Sequence, residues 1–134
     1  MSKIYVLDTD ISSYFIKGIY ETIGQKLQKL PDDSIFITSI TVAELLFGAE
    51  KRKNKKLTAD VNAFISEARI LAFDTNAAEV YSKIRTVLED SGTPIGNMDI
   101  MIASVAIAND AVLVTNNSKH FKYIKNLELE NWAE

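Results

Sequence analysis

Short β-branched runs alternate with stretches of helical period along this chain, and that alternation constrains its fold most. Ile4, Tyr5, Val6 and Leu7 run straight to an acid, Asp8, and read as a buried strand. Ile11, Tyr14 and Phe15 then fall at i, i+3 and i+4. Ile19, Tyr20, Ile23, Leu27 and Leu30 continue that helical stripe as far as Pro31. Residues 34–38 read as a second strand, followed by a helix over about 41–51 whose apolar face is Val42, Leu45, Leu46 and Ala49. Leu57, Val61, Phe64, Ile65 and Ala68 mark another helix, and residues 70–73 a third strand. Thr75 or Asn76 opens a long helix carrying Val80, Tyr81, Ile84, Val87 and Leu88. Gly92, Pro94 and Gly96 make a loop, and Asn97 opens an apolar helix to about residue 108. Residues 111–115 read as a fourth strand and 127–130 as a fifth. Strands separated by helices need crossover connections. The expected fold is therefore α/β, a parallel sheet of four to five strands covered on both faces, in a single domain over residues 1–134.

Composition narrows the chemistry. There is no cysteine, so disulfides, thiolate catalysis and Cys-ligated zinc are excluded. The net charge of -3 excludes a polycation that coats nucleic acid. Charge is uneven, however: residues 1–56 carry net +2 and residues 57–134 net -5, the first value owed to Lys51, Arg52, Lys53, Lys55 and Lys56. The longest nearly apolar run, residues 100–108, is far short of the ~20 residues a transmembrane helix needs. The apolar stretch before Asp8 is too short for a signal-peptide core, so a cytoplasmic protein without membrane attachment is expected.

In parallel sheets, ligands gather outside the carboxyl ends of the strands. Asp8 ends the first strand, and Asp10 follows it. Glu44 lies near the start of the helix after the second strand, and Asp99 near the start of the helix after the Gly/Pro loop. Thr115, Asn116 and Asn117 close the fourth strand. A parallel sheet brings all of these to one edge. Each acid also has a structural explanation. Thr41 as N-cap with Glu44 reaching back makes a capping box. Asp99 complements a helix dipole two residues after an Asn97 cap. Asp8 or Asp10 caps the first helix. Capping does not require the acids to converge, though, and clustered carboxylates raise one another's pKa unless a cation neutralises them.

Such a cation must be hard. The donors are the carboxylates of Asp8, Glu44 and Asp99 and the side-chain oxygens of Asn117 and Thr115, and oxygen donors select Mg²⁺ or Mn²⁺ over zinc. A site of this kind activates water and neutralises charge on a phosphate, which permits phosphoryl hydrolysis without a nucleophilic side chain.

The segments V-L-D-T-D at 6–10, T-V-A-E-L-L-F-G-A at 41–49, G-T-P-I-G-N-M-D-I-M-I-A at 92–103 and V-T-N-N-S-K-H-F at 114–121 resemble those of PIN-domain ribonucleases. L-E-L-E-N-W at 127–132 fits too, and the chain is most similar to the VapC toxins of toxin–antitoxin pairs. The resemblance covers nearly the whole chain, with spacings of 36, 55 and 18 residues between Asp8, Glu44, Asp99 and Asn117. It implies a three-layer α/β/α sandwich. It implies that Asp8, Glu44 and Asp99 are the acidic metal ligands, with Asn117 at the fourth position and Thr115 beside them. It further implies a Mg²⁺-dependent endoribonuclease that cuts tRNA or ribosomal RNA to stop translation, forms a homodimer and is silenced by a cognate antitoxin. Two departures are present. Val105 stands where many relatives carry histidine, with no metal role expected there. Asn117 is neutral, which leaves one or two bound metals open.

Lys51, Arg52, Lys53, Lys55 and Lys56 read either as a solvated helix end or as an RNA-backbone contact. Lys83 and Arg85 are weaker candidates for that contact. His120, the sole histidine, follows Asn117 and is placed to approach the site, but reads first as a surface or capping residue; Trp132, Tyr14, Phe15 and Phe36 read as core or interface. A PIN-like fold that has lost catalysis is one alternative, against which all three acids are present, and two rival readings come from other classes. A haloacid-dehalogenase-like phosphatase would use Asp8 as nucleophile and Asp10 as general acid, but it gives Glu44 no role. A receiver module would place its phosphoacceptor at Asp74, after the third strand.

Overall fold

A computed structural model describes residues 2–134. Its elements are β1 (Tyr5–Leu7), α1 (Thr9–Lys17), α2 (Glu21–Lys29), a 3₁₀ turn (Asp32–Ser34), β2 (Ile35–Thr38), α3 (Ser39–Arg52), α4 (Lys55–Glu67), β3 (Arg69–Leu71), α5 (Thr75–Asp90), α6 (Asn97–Ala108), β4 (Val112–Val114), α7 (Ser118–Phe121) and β5 (Leu129–Glu130). The five strands pair in parallel throughout, in the order β3-β2-β1-β4-β5.

Side-chain alternation along the strands makes the three layers. Val6 and Leu113 point to one face, where they pack with Ile100, Ile102, Ala103 and Ala106 of α6, with Leu88 of α5, and with Phe121 and Ile124. The next residues, Leu7 and Val114, point to the other face with Ile37, where they meet Ile11 of α1, Ile23 of α2 and Trp132. Trp132 is fixed there by its Nε1 donating to Glu130 Oε1 at 2.8 Å and by its ring lying 5.4 Å from that of Tyr5. Leu45, Ala49 and Val61 form a smaller core between α3 and α4.

The expected α/β fold and fifth strand are present, with some boundaries moved. The stripe from Ile11 to Leu30 is two helices, because Gly18 takes the left-handed conformation (φ 68°) and its N–H closes α1 onto Tyr14 and Phe15. The N-cap of α3 is Thr38, not Thr41: the Thr38 hydroxyl accepts from the Thr41 N–H at 3.1 Å. The capping-box reading of Glu44 is therefore wrong, and its carboxylate is free for another partner. Asp74 caps α5 by accepting from the Ala77 N–H at 3.0 Å, and Gly96 precedes α6 in the place expected for Asn97.

Candidate active site at the carboxyl edge of the sheet

From β1 the chain steps outward to β2 and β3 on one side, then crosses back through α5 and α6 to β4 and β5 on the other, so the crevice between β1 and β4 is the switch point of the sheet. Leu7 pairs with Val114, which sets Asp8 beside Thr115 at the carboxyl end of that crevice. The Asp8 N–H donates to Val114 O at 3.0 Å and continues the ladder. Its side chain caps α1 by accepting from the Ile11 N–H at 2.9 Å. Asp8 is thus a cap and an edge carboxylate at once.

Burial decides its charge. Asp8 is buried at 4% exposure, and desolvation pushes its carboxyl up to about 7, against the Ile11 N–H and the Thr115 hydroxyl, which favour the charged form. The negative charges of Asp10 and Asp99 push it further in the same direction. Thr115 is fully buried and accepts from the Asn117 N–H at 2.9 Å, which leaves its own proton for Asp8. Asp99, in the first turn of α6, is also raised, first by burial and then by Glu44 and Asp10, while His120 opposes the shift. Asp8, Asp10, Glu44 and Asp99 therefore share one electrostatic neighbourhood, as the sequence predicts.

Glu44 is held by a residue that the sequence analysis does not single out. Thr9, the first residue of α1, donates its hydroxyl to Glu44 Oε1 at 2.5 Å and lies 3.1 Å from the buried Thr41 hydroxyl. This bond ties α1 to α3 immediately beside Asp8. The only advance signal was a hydroxyl residue between two acids. Replacing Thr9 with Val is expected to lower the turnover number about tenfold with little change in melting temperature, since one bond to a charged group is lost; single-turnover kinetics on the chain's own substrate would measure it.

Asn117 is half-buried, and its side-chain nitrogen lies 2.9 Å from His120 Nδ1. His120 is exposed as expected, yet it is joined to Asn117 and acts electrostatically on Asp99, so it belongs to the rim of the site. The basic residues at 51–56 lie elsewhere. Arg52 ends α3, Lys53 forms the left-handed turn (φ 53°), and Asn54 caps α4. Lys51 is seven residues beyond Glu44, about 10 Å along the helix axis. Lys56 is paired with Asp60 at 2.9 Å.

The donor set fits a hard divalent cation. Its members are oxygens, two of its carboxyls have pKa values raised first by burial and then by neighbouring acids, and no ion pair among the described residues neutralises any of its acids. No three acidic or imidazole side chains among the described residues are drawn tightly enough to enclose an ion by themselves. Such an open set suits Mg²⁺, which keeps several waters. Val105 is fully buried in the core, clear of any ligand role. Neither rival reading fits. Asp10 is exposed at the rim, and Glu44 is committed to the cluster, which a phosphatase of the haloacid-dehalogenase type does not explain. Asp74 follows an edge strand, away from the switch point, and is occupied as a helix cap.

The PIN domain family model matches residues 5–127. Ribonuclease VapC2 of Rickettsia felis is 44% identical over 131 residues, covering 96% of this chain and 98% of that protein. The tRNA(fMet)-specific endonuclease VapC of Salmonella typhimurium is 38% identical, with the same coverage of each chain. Among solved structures, VapBC2 from Rickettsia felis bound to a promoter DNA fragment superposes with a TM-score of 0.89 at 42% identity, covering 96% of this chain and 98% of that one. The chain belongs to the PIN-domain family and, within it, to the VapC ribonucleases.

Proposed function

We propose that this chain is the endoribonuclease toxin of a toxin–antitoxin pair and that it hydrolyses tRNA in the cytoplasm with Mg²⁺, or Mn²⁺, held by Asp8, Glu44, Asp99 and Asn117. The observation that carries the reading is the convergence of four unneutralised acids at the switch point of a PIN-family sheet. The tRNA target is supported by the name of the Salmonella typhimurium relative.

When bound, the divalent ion supplies positive charge to the scissile phosphate and lowers the pKa of water. The chain's own residues do the rest. Asp8 is fixed in direction by Thr115 and the Ile11 N–H, and Glu44 by Thr9. Carboxylates locked in this way would hold a divalent ion without reorganising. His120, next to Asn117 and Asp99, places a hydrogen-bonding ring at the mouth where an RNA phosphate enters. Lys51, Arg52, Lys53, Lys55 and Lys56 contact the RNA backbone farther from the cut.

A partner antitoxin and a homodimer belong to the same proposal. Structures of VapBC complexes from Rickettsia felis, Salmonella typhimurium and nontypeable Haemophilus influenzae support the antitoxin. A groove of about 1120 Å³ with apolar residues Leu7, Phe15, Ile16, Leu27 and Phe64 and charged residues Asp32, Lys56, Asp60, Glu67 and Arg69 in its lining offers a mixed seat of the kind that receives an amphipathic helix. No helix among the described residues is long and apolar enough to cross a membrane.

End analysis of the cleaved RNA tests the chemistry. Attack by water leaves no 2′,3′-cyclic phosphate and tolerates a 2′-deoxy residue at the cut. A cyclic phosphate product, or loss of cleavage on 2′-deoxy substitution, would show that the RNA's own hydroxyl is the nucleophile and that this reading is wrong.

A further inference from the structure

The second half of the chain is acidic, yet four of its six basic residues, Lys83, Lys119, Lys122 and Lys125, fall within two short exposed segments. Three of them lie on the turn that follows Asn117. Phe121 and Ile124 are buried at 1% and 5% exposure and pin this turn to the core, so the residues between them face outward. Tyr123 is 51% exposed, and Lys122 Nζ stands 5.3 Å from the centre of its ring. A groove of about 220 Å³ runs between this turn and α5, lined by Tyr123, Lys125, Ile84, Val87 and Lys83. Val87 is 57% exposed. None of the four lysines is ion-paired among the described residues.

The patch is continuous with the candidate active site. Asn117 is bonded to His120, and the Tyr123 N–H donates to His120 O. Six residues of helical turn put Tyr123 about 9–12 Å from Asn117. That is a few nucleotides from the cut. An exposed aromatic ring set among unpaired lysines is the arrangement that holds single-stranded nucleic acid, with bases stacked on the ring and phosphates on the ammonium groups.

We propose that Tyr123, with Lys83, Lys119, Lys122 and Lys125, forms a subsite that grips an unpaired segment of the RNA substrate flanking the cleaved bond. The inference rests on the nuclease reading above. Charge complementarity selects RNA over a protein occupant: four free cations in a half-chain of net charge -5 suit a polyanion. The patch is joined to Asn117 through His120, whereas the basic turn at 51–56 lies at the far end of α3 from Glu44, with Lys51 against the exposed Phe47 ring.

The test uses the full chain and two probes, a fluorescent single-stranded RNA oligonucleotide and unfractionated tRNA. Anisotropy gives affinity without needing cleavage, and gel assays on the tRNA give cleavage separately. Tyr123→Ala is expected to weaken binding of the oligonucleotide about tenfold. A Lys83→Ala/Lys122→Ala/Lys125→Ala variant is expected to lower the slope of log affinity against log salt by about 2. Both variants should retain the Mg²⁺-dependent cutting of a dinucleotide, whose single phosphodiester leaves nothing to reach the patch, which shows that the acids are intact. Unchanged affinity and salt slope in folded variants would overturn the subsite, whether or not the protein cuts RNA. Patch-dependent binding with no cleavage of any RNA would establish the patch as an RNA-binding surface but overturn the nuclease reading, and with it the patch's place beside a cleaved bond. Unchanged RNA affinity together with a shift from dimer to monomer would reassign this face to contact between copies and overturn the subsite.

Discussion

Asp8→Asn and Asp99→Asn are each expected to lower the cleavage rate by about three orders of magnitude or more while the chain stays folded. The argument starts from charge. Each substitution keeps shape and most hydrogen bonds but removes one negative charge from a set of acids at one edge of the sheet. A divalent ion held by few carboxylates loses much of its affinity with each one, and the ion contributes several kcal/mol to stabilising the phosphate transition state. At about 1.4 kcal/mol per decade, that is a loss of roughly a thousandfold. Asp8 has a second duty as the cap of α1, and asparagine is as good a cap as aspartate, so this variant separates metal binding from folding. Rate constants under saturating Mg²⁺, with circular dichroism to establish folding, make the comparison. A folded Asp99→Asn variant that cuts within tenfold of the wild type would remove Asp99 from the ligand set.

The second large effect is on stability. The Asp8 carboxyl ordinarily titrates near 3.8 and is pushed up to about 7 in the fold, chiefly by burial. Between those values the folded chain keeps a proton that the unfolded chain has released. The stabilisation is therefore complete below 3.8 and is lost as pH rises through about 7. Asp99 is shifted in the same direction and adds to it. The metal-free protein should lose a few kcal/mol between pH 5 and pH 8, or about 10 °C in melting temperature. Mg²⁺ should restore the loss at pH 8 and do little at pH 5, because protons and the ion compete for the same carboxylate. Asp8→Asn should flatten the pH profile and raise the pH 8 melting temperature of the metal-free protein. Parallel profiles for the two proteins would mean that Asp8 is not the group responsible.

Much of this site was legible before any coordinates. Strand-ending acids are conspicuous in a sequence, because β-branched runs stop abruptly at Asp8 and near Asn117, and a parallel sheet has only one edge at which such residues can meet. The elements between them were equally readable from their apolar period. What escaped depended on local chemistry that period does not encode. Gly18 splits one helical stripe into two because a left-handed residue ends a helix without disturbing the pattern of apolar positions on either side. Thr38 displaced Thr41 as a cap by a single helical turn, and that shift released Glu44 for Thr9. Thr9 itself was unreadable, since a threonine between two acids has no signature apart from the partner that folding brings to it. The lysines from 119 to 125 were masked by averaging: they sit in the more acidic half of the chain, and only the turn held by Phe121 and Ile124 turns them out to one face.

The central claim is that these acids hold a divalent ion. Calorimetric titration of the metal-free protein with Mn²⁺ at pH 8, for the wild type and for Asp8→Asn and Glu44→Gln, tests it most directly. The account predicts a saturable site in the wild type that weakens at least tenfold in each variant and that Mg²⁺ competes away. Binding of equal strength in all three proteins, or no binding by a folded wild type at millimolar Mn²⁺, would contradict it.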